Sequence, residues 1–326
     1  MNLFKFLALV GSVAIAGSAA QAQTQSYPSR PITIVVPFAA GGPIDTTTRI
    51  VTDKMKDTLG QSIVVENVGG AAGGIAAARV AKSAPDGYTL MTGIWGTHVA
   101  NGAIYRLNYD VKADFAPVSL VSSNPLLIVG SKNIPAKDLR ELIAWLKAAP
   151  DTASQGTSGI GSVGHVGGLF FQKMTGSRFA FVPYRGLAPA MHDLNAGTIN
   201  LMFDTPMTSL PHVKAGTIRA YAVTAPKRIA SAPDVPTVDE AGLKGLHIST
   251  WTGIFAPKGT DKAIIDKLNA AVRAALADPE VNRRLAAVGQ DVYPAEQQTP
   301  EALAKLQDED IKKWWPIIKD AKIKAD

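Results

Sequence analysis

Short apolar runs alternate along most of the chain with longer runs in which apolar residues recur at helical spacing. The first apolar run, Ile32–Val36, is rich in β-branched residues and precedes a helical pattern over residues 44–59. Further strand candidates lie at 62–68, 88–93, 179–184, 198–203 and 218–224, with helix candidates between them. Alternation of this kind predicts an α/β fold with mainly parallel sheets and helices on both faces.

Two long extended stretches interrupt the alternation. Residues 115–130 are mostly apolar and extended, and residues 247–257 follow a connection rich in Pro, Ala, Asp and Gly. Because about 300 residues exceed a usual single core, two domains are expected. We therefore expect the chain to cross from one domain to the other twice, once in each stretch. One domain would be discontinuous and combine residues 27–122 with 248–326, and the second would be residues 123–247. Ligands of such folds bind at the carboxyl ends of strands, so a ligand cleft between the lobes is expected.

The N-terminus has the layout of a signal peptide. Lys5 precedes an apolar run over 6–17, and Ala20-Gln21-Ala22 supplies a small-residue cleavage pattern. The run is shorter than the ~20 residues that a spanning helix needs. We therefore expect residues 1–22 to be a cleaved leader and the protein to be periplasmic.

Composition and motifs exclude several functional classes. The 33 Lys and Arg against 27 Asp and Glu give a net charge of +6, which is scattered rather than clustered as a nucleic-acid face requires. The chain has no cysteine, and its five histidines lack the spacing of metal ligands, so no metal or cofactor is predicted. A secreted hydrolase is disfavoured because G-x-S-x-G does not occur, although a dispersed catalytic triad stays open.

The first predicted anion-binding loop joins the first strand to the helix that follows it. Glycine lets a backbone approach a ligand closely, and helix N–H groups favour an anion. An ordinary tight turn is the alternative. The candidate ligand-binding residues here are Phe38, Ala40, Gly41, Gly42 and Asp45.

A second glycine-rich loop, over residues 154–165, also runs into a helix candidate. Its hydroxyl groups can cap helix N–H groups or donate to a carboxylate. It contains a G-x-G-x-x-G pattern, but the acidic residue that dinucleotide binding requires ~20 positions later is missing. The candidates are Ser158, Gly159, Gly161, Ser162 and His165, of which the histidine serves either as a ligand contact or as a helix-start residue.

The remaining candidates follow other strands or lie on a crossover. Each has a plain structural alternative, such as packing, helix capping or a local salt bridge. They are Gly69, Gly70, Ala71, Trp95, Thr97, His98, Arg185, Asp204 and Trp251.

Several motifs, in order along the chain, resemble one known family. They are Pro37-Phe38-Ala39-Ala40-Gly41-Gly42-Pro43 with Asp45, Val65-Glu66-Asn67, Ala84-Pro85-Asp86-Gly87-Tyr88, Gly96-Thr97-His98, Val182-Pro183-Tyr184-Arg185-Gly186, Leu201-Met202-Phe203-Asp204, Asp234-Val235-Pro236-Thr237 and Phe255-Ala256-Pro257. The chain is similar to the periplasmic solute-binding proteins of tripartite tricarboxylate transporters, the Bug family. One departure is Thr252 after Trp251, where the family often has a bulky or aromatic residue.

The resemblance implies a two-lobed, type-II periplasmic binding fold that closes on a small carboxylate, either a dicarboxylate or an aromatic acid. Recognition would use both glycine-rich loops, with Asp45 acting partly through ordered water. One carboxylate in each loop would favour ligands charged at both ends. The implied partners are integral-membrane transporter subunits or, alternatively, a sensor kinase, and the protein would be a monomer without enzymatic activity.

Overall fold

The structure of the protein is a computed structural model that describes residues 27–184 and 186–322. The predicted leader, residues 1–22, and the candidate Arg185 lie outside the described residues. None of the helices in the described ranges combines the length and apolar character that a membrane span would need.

Strands and helices follow one another in the predicted order. The strands are β1 Ile32–Val36, β2 Ile63–Asn67, β3 Thr89–Ile94, β4 Phe115–Pro125, β5 Leu127–Ser131, β6 Ser154–Thr157, β7 Ala180–Pro183, β8 Leu201–Asp204, β9 Ile218–Val223, β10 Ser249–Pro257 and β11 Asp291–Val292. The helices are α1 Pro43–Leu59, α2 Gly74–Ala81, α3 Asn101–Ile104, α4 Leu139–Ala148, α5 Val163–Thr175, α6 Leu187–Ala196, α7 Pro206–Lys214, α8 Lys262–Leu276, α9 Pro279–Ala287 and α10 Pro300–Asp320. Short helical turns also occur at Ala71–Gly73, Gly96–Ala100 and Ala295–Gln297.

The strands form two sheets, which confirms the two-lobed α/β fold. The six-stranded sheet has the order β11-β4-β10-β3-β1-β2, and the five-stranded sheet has the order β7-β6-β8-β5-β9. The expectation of mainly parallel sheets is wrong, since β10 is antiparallel to β3 and β4, and β5 is antiparallel to β8 and β9. The chain passes from one sheet to the other between β4 and β5 and again between β9 and β10, so β5 and β10 enter their sheets from the other lobe and not through a helical crossover within the same sheet.

The chain crosses between the sheets at two adjacent places. β4 ends at Pro125 and β5 begins at Leu127, while the connection after β9 leads to β10. Thr224 ties the two crossings together, because its hydroxyl lies 3.0 Å from the Leu126 carbonyl oxygen and 2.5 Å from the Ile248 carbonyl oxygen. The described crossings therefore form one hydrogen-bonded unit beneath the cleft.

The C-terminal helix α10 packs against both lobes. Trp314 makes edge-to-face contacts with Trp95 at 5.8 Å and with Phe170 of α5 at 5.4 Å between ring centroids. Its indole nitrogen donates to Asp310, which also accepts from Trp251. Aromatic packing on this helix thus positions Trp95, which lies between β3 and the turn that follows it.

Candidate ligand-binding site

A cavity of about 650 Å³ lies between the lobes, at the carboxyl ends of β1 and β3 and beside the start of α5. Its size is typical of a small-molecule site. None of the described residues that line it is charged. They are Phe38, Ala72, Ile94, Trp95, Gly96, Asn101, Tyr105, Ser158, Gly159, Ile160, Gly161, Ser162, Val163, Pro183, Tyr184 and Thr250.

In the first glycine-rich loop, the Asp45 carboxylate accepts hydrogen bonds from the loop itself and from neighbouring side chains. Gly41 N–H donates to Asp45 Oδ2 at 2.8 Å, Arg49 Nε donates to both carboxylate oxygens at 2.9 and 3.0 Å, and Asn67 Nδ2 donates to Oδ1 at 3.0 Å. Asp45 is only 3% exposed. Although burial opposes ionisation, the hydrogen bonds from Arg49, Gly41 and Asn67 keep the pKa of Asp45 below its usual value.

This arrangement differs from the expected anion-binding loop. The Gly41 amide is already paired with Asp45, and Gly42 N–H donates to the Ala39 carbonyl at 3.4 Å. Of the five candidates in this loop, only Phe38 lines the cavity, and Ala40, Gly41, Gly42 and Asp45 are not part of its lining. The physical reason is that the buried carboxylate needs donors, and the nearest backbone amide satisfies it.

The loop after β2 reaches the cavity through one residue. Ala71 and Ala72 have φ values of 47° and 51°, a left-handed conformation that is uncommon for residues other than glycine. The Ala72 carbonyl accepts a hydrogen bond from Asn101 Nδ2 at 3.0 Å, and Ala72 lines the cavity. The predicted candidates Gly69, Gly70 and Ala71 are exposed and lie outside the lining.

Of the candidates in the segment after β3, one lines the cavity and the others lie in the core. Trp95 lines the cavity and is 1% exposed, and its Nε1 has no hydrogen-bond partner among the described residues. Thr97 and His98 are fully buried in the core and are not part of the cavity lining. The Thr97 hydroxyl bonds the Ile94 backbone at 3.1 Å, and the His98 ring stacks on Phe255 at 3.9 Å.

The second glycine-rich loop borders the cavity directly. Ser158, Gly159, Gly161 and Ser162 all line it. Ser162 caps α5, since its hydroxyl oxygen accepts from His165 N–H at 3.3 Å. The described hydrogen bonds within this loop join Thr157 to Gly159 and Ser162 to His165, and none of these involves the Ser158 hydroxyl.

His165 shapes this loop from behind. Its Nδ1 accepts from the Gly161 N–H at 2.9 Å, and its ring packs edge-on against Phe181 at 4.6 Å. Burial lowers the pKa of His165, which keeps the imidazole neutral and able to accept this bond. The ring borders a separate, smaller cavity with Phe181 and Leu169 and is not part of the lining of the cavity between the lobes.

Asp204 and Trp251 lie in the core rather than in the cavity. Asp204 is fully buried and accepts from Ser209 at 2.5 Å and from Thr208 at 3.0 Å at the start of α7. Trp251 is 1% exposed, and its indole nitrogen donates to Asp310 at 2.8 Å. Neither residue is part of the cavity lining: Asp204 is buried at the end of β8, and Trp251 is buried near the start of β10.

Asp204 should give the protein a pH-dependent stability. Burial raises the pKa of Asp204 to about 6, against hydrogen bonds from Ser209, Thr205 and Thr208 that lower it. A raised carboxyl pKa favours folding below pH ~4, and this contribution is lost as the pH rises through ~6. Between pH 4 and 7, wild type should lose about 2 kcal/mol relative to Asp204→Asn. Urea unfolding across this range measures the difference, and parallel curves would contradict it.

Several lining residues were not among the sequence candidates. Asn101 begins the short helix α3 and Tyr105 directly follows it, while Thr250 comes from β10, far along the chain. Tyr184, the last residue of the predicted strand 179–184, directly follows β7, and its hydroxyl donates to Asp193 at 2.7 Å. These residues lie on or just after strands that border the cleft, and this position could have predicted them from the sequence. They carry neither the glycine nor the charge on which the sequence candidates were based.

Comparison with known proteins agrees with this geometry. The model of the tripartite tricarboxylate transporter family receptor matches residues 47–323. A protein of Agrobacterium vitis, described as a UPF0065 protein in the TAR-I ttuE-ttuC' intergenic region, is 41% identical over 317 residues, which cover 97% of this chain and 91% of the relative.

Solved structures show the same fold over at least 90% of this chain. MatC from Rhodopseudomonas palustris with bound malate has 41% identity and a TM-score of 0.77, covering 90% of this chain and 100% of that one. The periplasmic binding protein BugD has 37% identity and a TM-score of 0.77, covering 92% and 100%. A second R. palustris protein, solved with adipate, has 34% identity and a TM-score of 0.79, covering 91% and 98%. The chain therefore belongs to the family of tripartite tricarboxylate transporter receptors, whose members are solute-binding proteins.

Proposed function

We propose that this protein captures a small organic carboxylate in the cleft between its lobes and delivers it to a tripartite tricarboxylate-type membrane transporter. The observation that carries the proposal is the interlobe cavity of about 650 Å³, bordered by the Ser158–Ser162 loop at the start of α5. Backbone N–H groups at a helix start, together with serine hydroxyls, suit a carboxylate. Relatives solved with malate and with adipate support the ligand class.

The proposal includes export and lobe movement. Cleavage of residues 1–22 would release the mature protein into the periplasm, where it would act as a monomer. The lobes, divided near residues 122 and 248, would close about the two crossings that Thr224 joins. Closure of this kind absorbs backbone change at the ends of a few elements.

Binding without conversion is the expected result for purified mature protein. A panel of carboxylates is tested by thermal unfolding, and a ligand at 100 times its dissociation constant should add about 2.7 kcal/mol to the free energy of unfolding. Calorimetric titration then gives the stoichiometry, which should be one. Chromatography of the mixture after prolonged incubation should return the ligand unchanged.

Neutral amides of the same acids serve as controls, because they keep the shape and remove the charge. A panel in which no carboxylate binds would overturn the proposed function. Conversion of a ligand at a rate proportional to protein concentration would show an enzyme instead.

A further inference from the structure

We propose that a contact between Gly161 and Ile104 holds the two lobes together across the cleft, so that the protein populates a closed conformation before any ligand binds. Gly161 lies in the glycine-rich loop just before α5, and Ile104 is the last residue of α3. This inference rests on the lobe closure included in the proposed function and names the contact that favours it.

The contact joins elements that belong to different sheets. α3 lies between β3 and β4 of the six-stranded sheet, whereas Gly161 follows β6 of the five-stranded sheet. Gly161 is buried although Ile160 before it is 50% exposed, and Ile104 is 8% exposed. Gly161 lines the interlobe cavity, as do Asn101 and Tyr105 at the two ends of α3. The contact therefore lies at the edge of that cavity.

Ile104 occupies the space that a side chain at position 161 would need. A Cβ on Gly161 would lie 2.5 Å from Ile104 Cδ1, and 3.6 and 3.7 Å from its Cγ1 and Cγ2. Carbon atoms pack best at about 3.5–4.0 Å, so the first distance is an overlap and the other two are ordinary contacts. The terminal methyl group of Ile104 is thus the one atom of that side chain that excludes a Cβ.

Backbone conformation alone does not account for this close approach. Gly161 has a φ of +77°, which by itself favours glycine. Gly60 and Gly176 have similar φ values of +67° and +69°, yet a Cβ on either would meet nothing within 4 Å. The approach of Ile104 is therefore a second property of position 161, separate from its φ.

Hydrogen bonds within each lobe hold the two sides of the contact in place. Gly161 N–H donates to His165 Nδ1 at 2.9 Å, and Asn101 Nδ2 of α3 donates to the Ala72 carbonyl at 3.0 Å. A closely packed, anchored region accommodates an extra atom poorly. We therefore expect an added side chain at position 161 to separate the lobes rather than to shift the loop alone.

A contact that forms only when the lobes are together favours closure whether or not a ligand is bound. The ligand then supplies only part of the free energy of closing. Its apparent affinity also rises with the fraction of protein that is already closed. The Gly161–Ile104 contact would thus strengthen binding without touching the ligand.

Double electron–electron resonance on the ligand-free mature protein tests this contact. The chain has no cysteine, so Asn108→Cys and Ala188→Cys place one spin label beside α3 and one on α6, both at exposed positions. Wild type should show a short-distance, closed population. Gly161→Ala should lower that population at least about fivefold, because its Cβ overlaps Ile104.

A second substitution should relieve the overlap. Ile104→Val removes Cδ1 and keeps the two carbons at ordinary distances. In that background, Gly161→Ala should change the closed population by less than about twofold, which is the non-additivity expected of two residues in contact.

Gly176→Ala is the matched control, because it places alanine at a similar φ in the same lobe with open space around it. Its closed population should equal that of wild type. Alanine already adopts a positive φ in this chain at Ala71 and Ala72, and thermal unfolding of each variant checks its folding. If Gly161→Ala does not fold, Gly161→Asn replaces it, since asparagine adopts positive φ more readily.

The outcomes separate this inference from the proposed function. A single open population in ligand-free wild type, or equal closed populations for the substitutions at positions 161 and 176, would overturn the contact and leave carboxylate capture standing. Failure of every carboxylate in the panel would overturn the proposed function itself, which the ligand-free measurement does not test.

Discussion

Replacing Asp45 by asparagine is expected to lower the free energy of unfolding by about 3 kcal/mol. Both carboxylate oxygens of Asp45 accept hydrogen bonds, from Gly41, Arg49 and Asn67, and the side chain is 3% exposed. An amide in either orientation would point its own N–H groups at some of these donors. The buried donors would lose their acceptor, and the loop that carries Phe38 would lose its anchor.

Urea unfolding at pH 7 measures this loss, with Asp53→Asn as the matched control on the same helix. Asp53 is exposed and lies 3.7 Å from Lys56 in a loose ion pair, so its replacement should change stability by less than about 0.5 kcal/mol. The low pKa of Asp45 means that its contribution is present above pH ~4 and is lost as the pH falls through the folded value. Equal unfolding midpoints for the two variants at pH 7 would contradict the structural role of Asp45.

Replacing His98 by glutamine is expected to flatten the loss of stability in acid. The His98 ring is completely buried between Phe115 and Phe255, and burial lowers its pKa to about 3. The unfolded chain binds a proton near pH 6.5, whereas the folded chain does not. Wild type should therefore lose about 1.4 kcal/mol per pH unit through this residue as the pH falls from ~6.5 toward ~3.

The free energy of unfolding falls in acid because the folded protein holds His98 neutral. The stability that His98 contributes is therefore present above pH ~6.5 and is lost below it. Because His98→Gln also changes the packing of a buried ring, the quantity compared is the slope of the unfolding free energy against pH and not its value at pH 7.5. The control is His192→Gln, because the His192 side chain is 83% exposed. A variant whose acid slope equals that of wild type and of the control would show that His98 is protonated in the folded state.

Local patterns were sufficient to predict the order of the elements. The β-branched run of β1 and the helical periodicity of α1 are properties of neighbouring residues, so both elements lie where the sequence placed them. The glycine-rich loop before α5 was also recognisable, because a helix start needs capping groups and Ser162 supplies one. Family membership, inferred from motifs spread along the chain, is confirmed by the match over residues 47–323.

Pairing between distant segments could not be predicted from these patterns. β10 lies between β3 and β4 and is antiparallel to both, although its own sequence carries no mark of direction. Strand direction depends on where the chain re-enters the sheet, and here it re-enters after building the second lobe. The expectation of mainly parallel sheets failed for that reason.

The sequence by itself determined which elements form, where the glycine turns lie and to which family the chain belongs, because these depend on short-range preferences and on motif order. The tertiary structure alone decided the use of each polar group. Asp45 accepts a hydrogen bond from the Gly41 amide, and His165 accepts one from the Gly161 amide. His98 packs in the aromatic core. In each case the fold brings the partners together. A buried polar atom binds the nearest partner in space, and that partner is set by packing rather than by spacing along the chain.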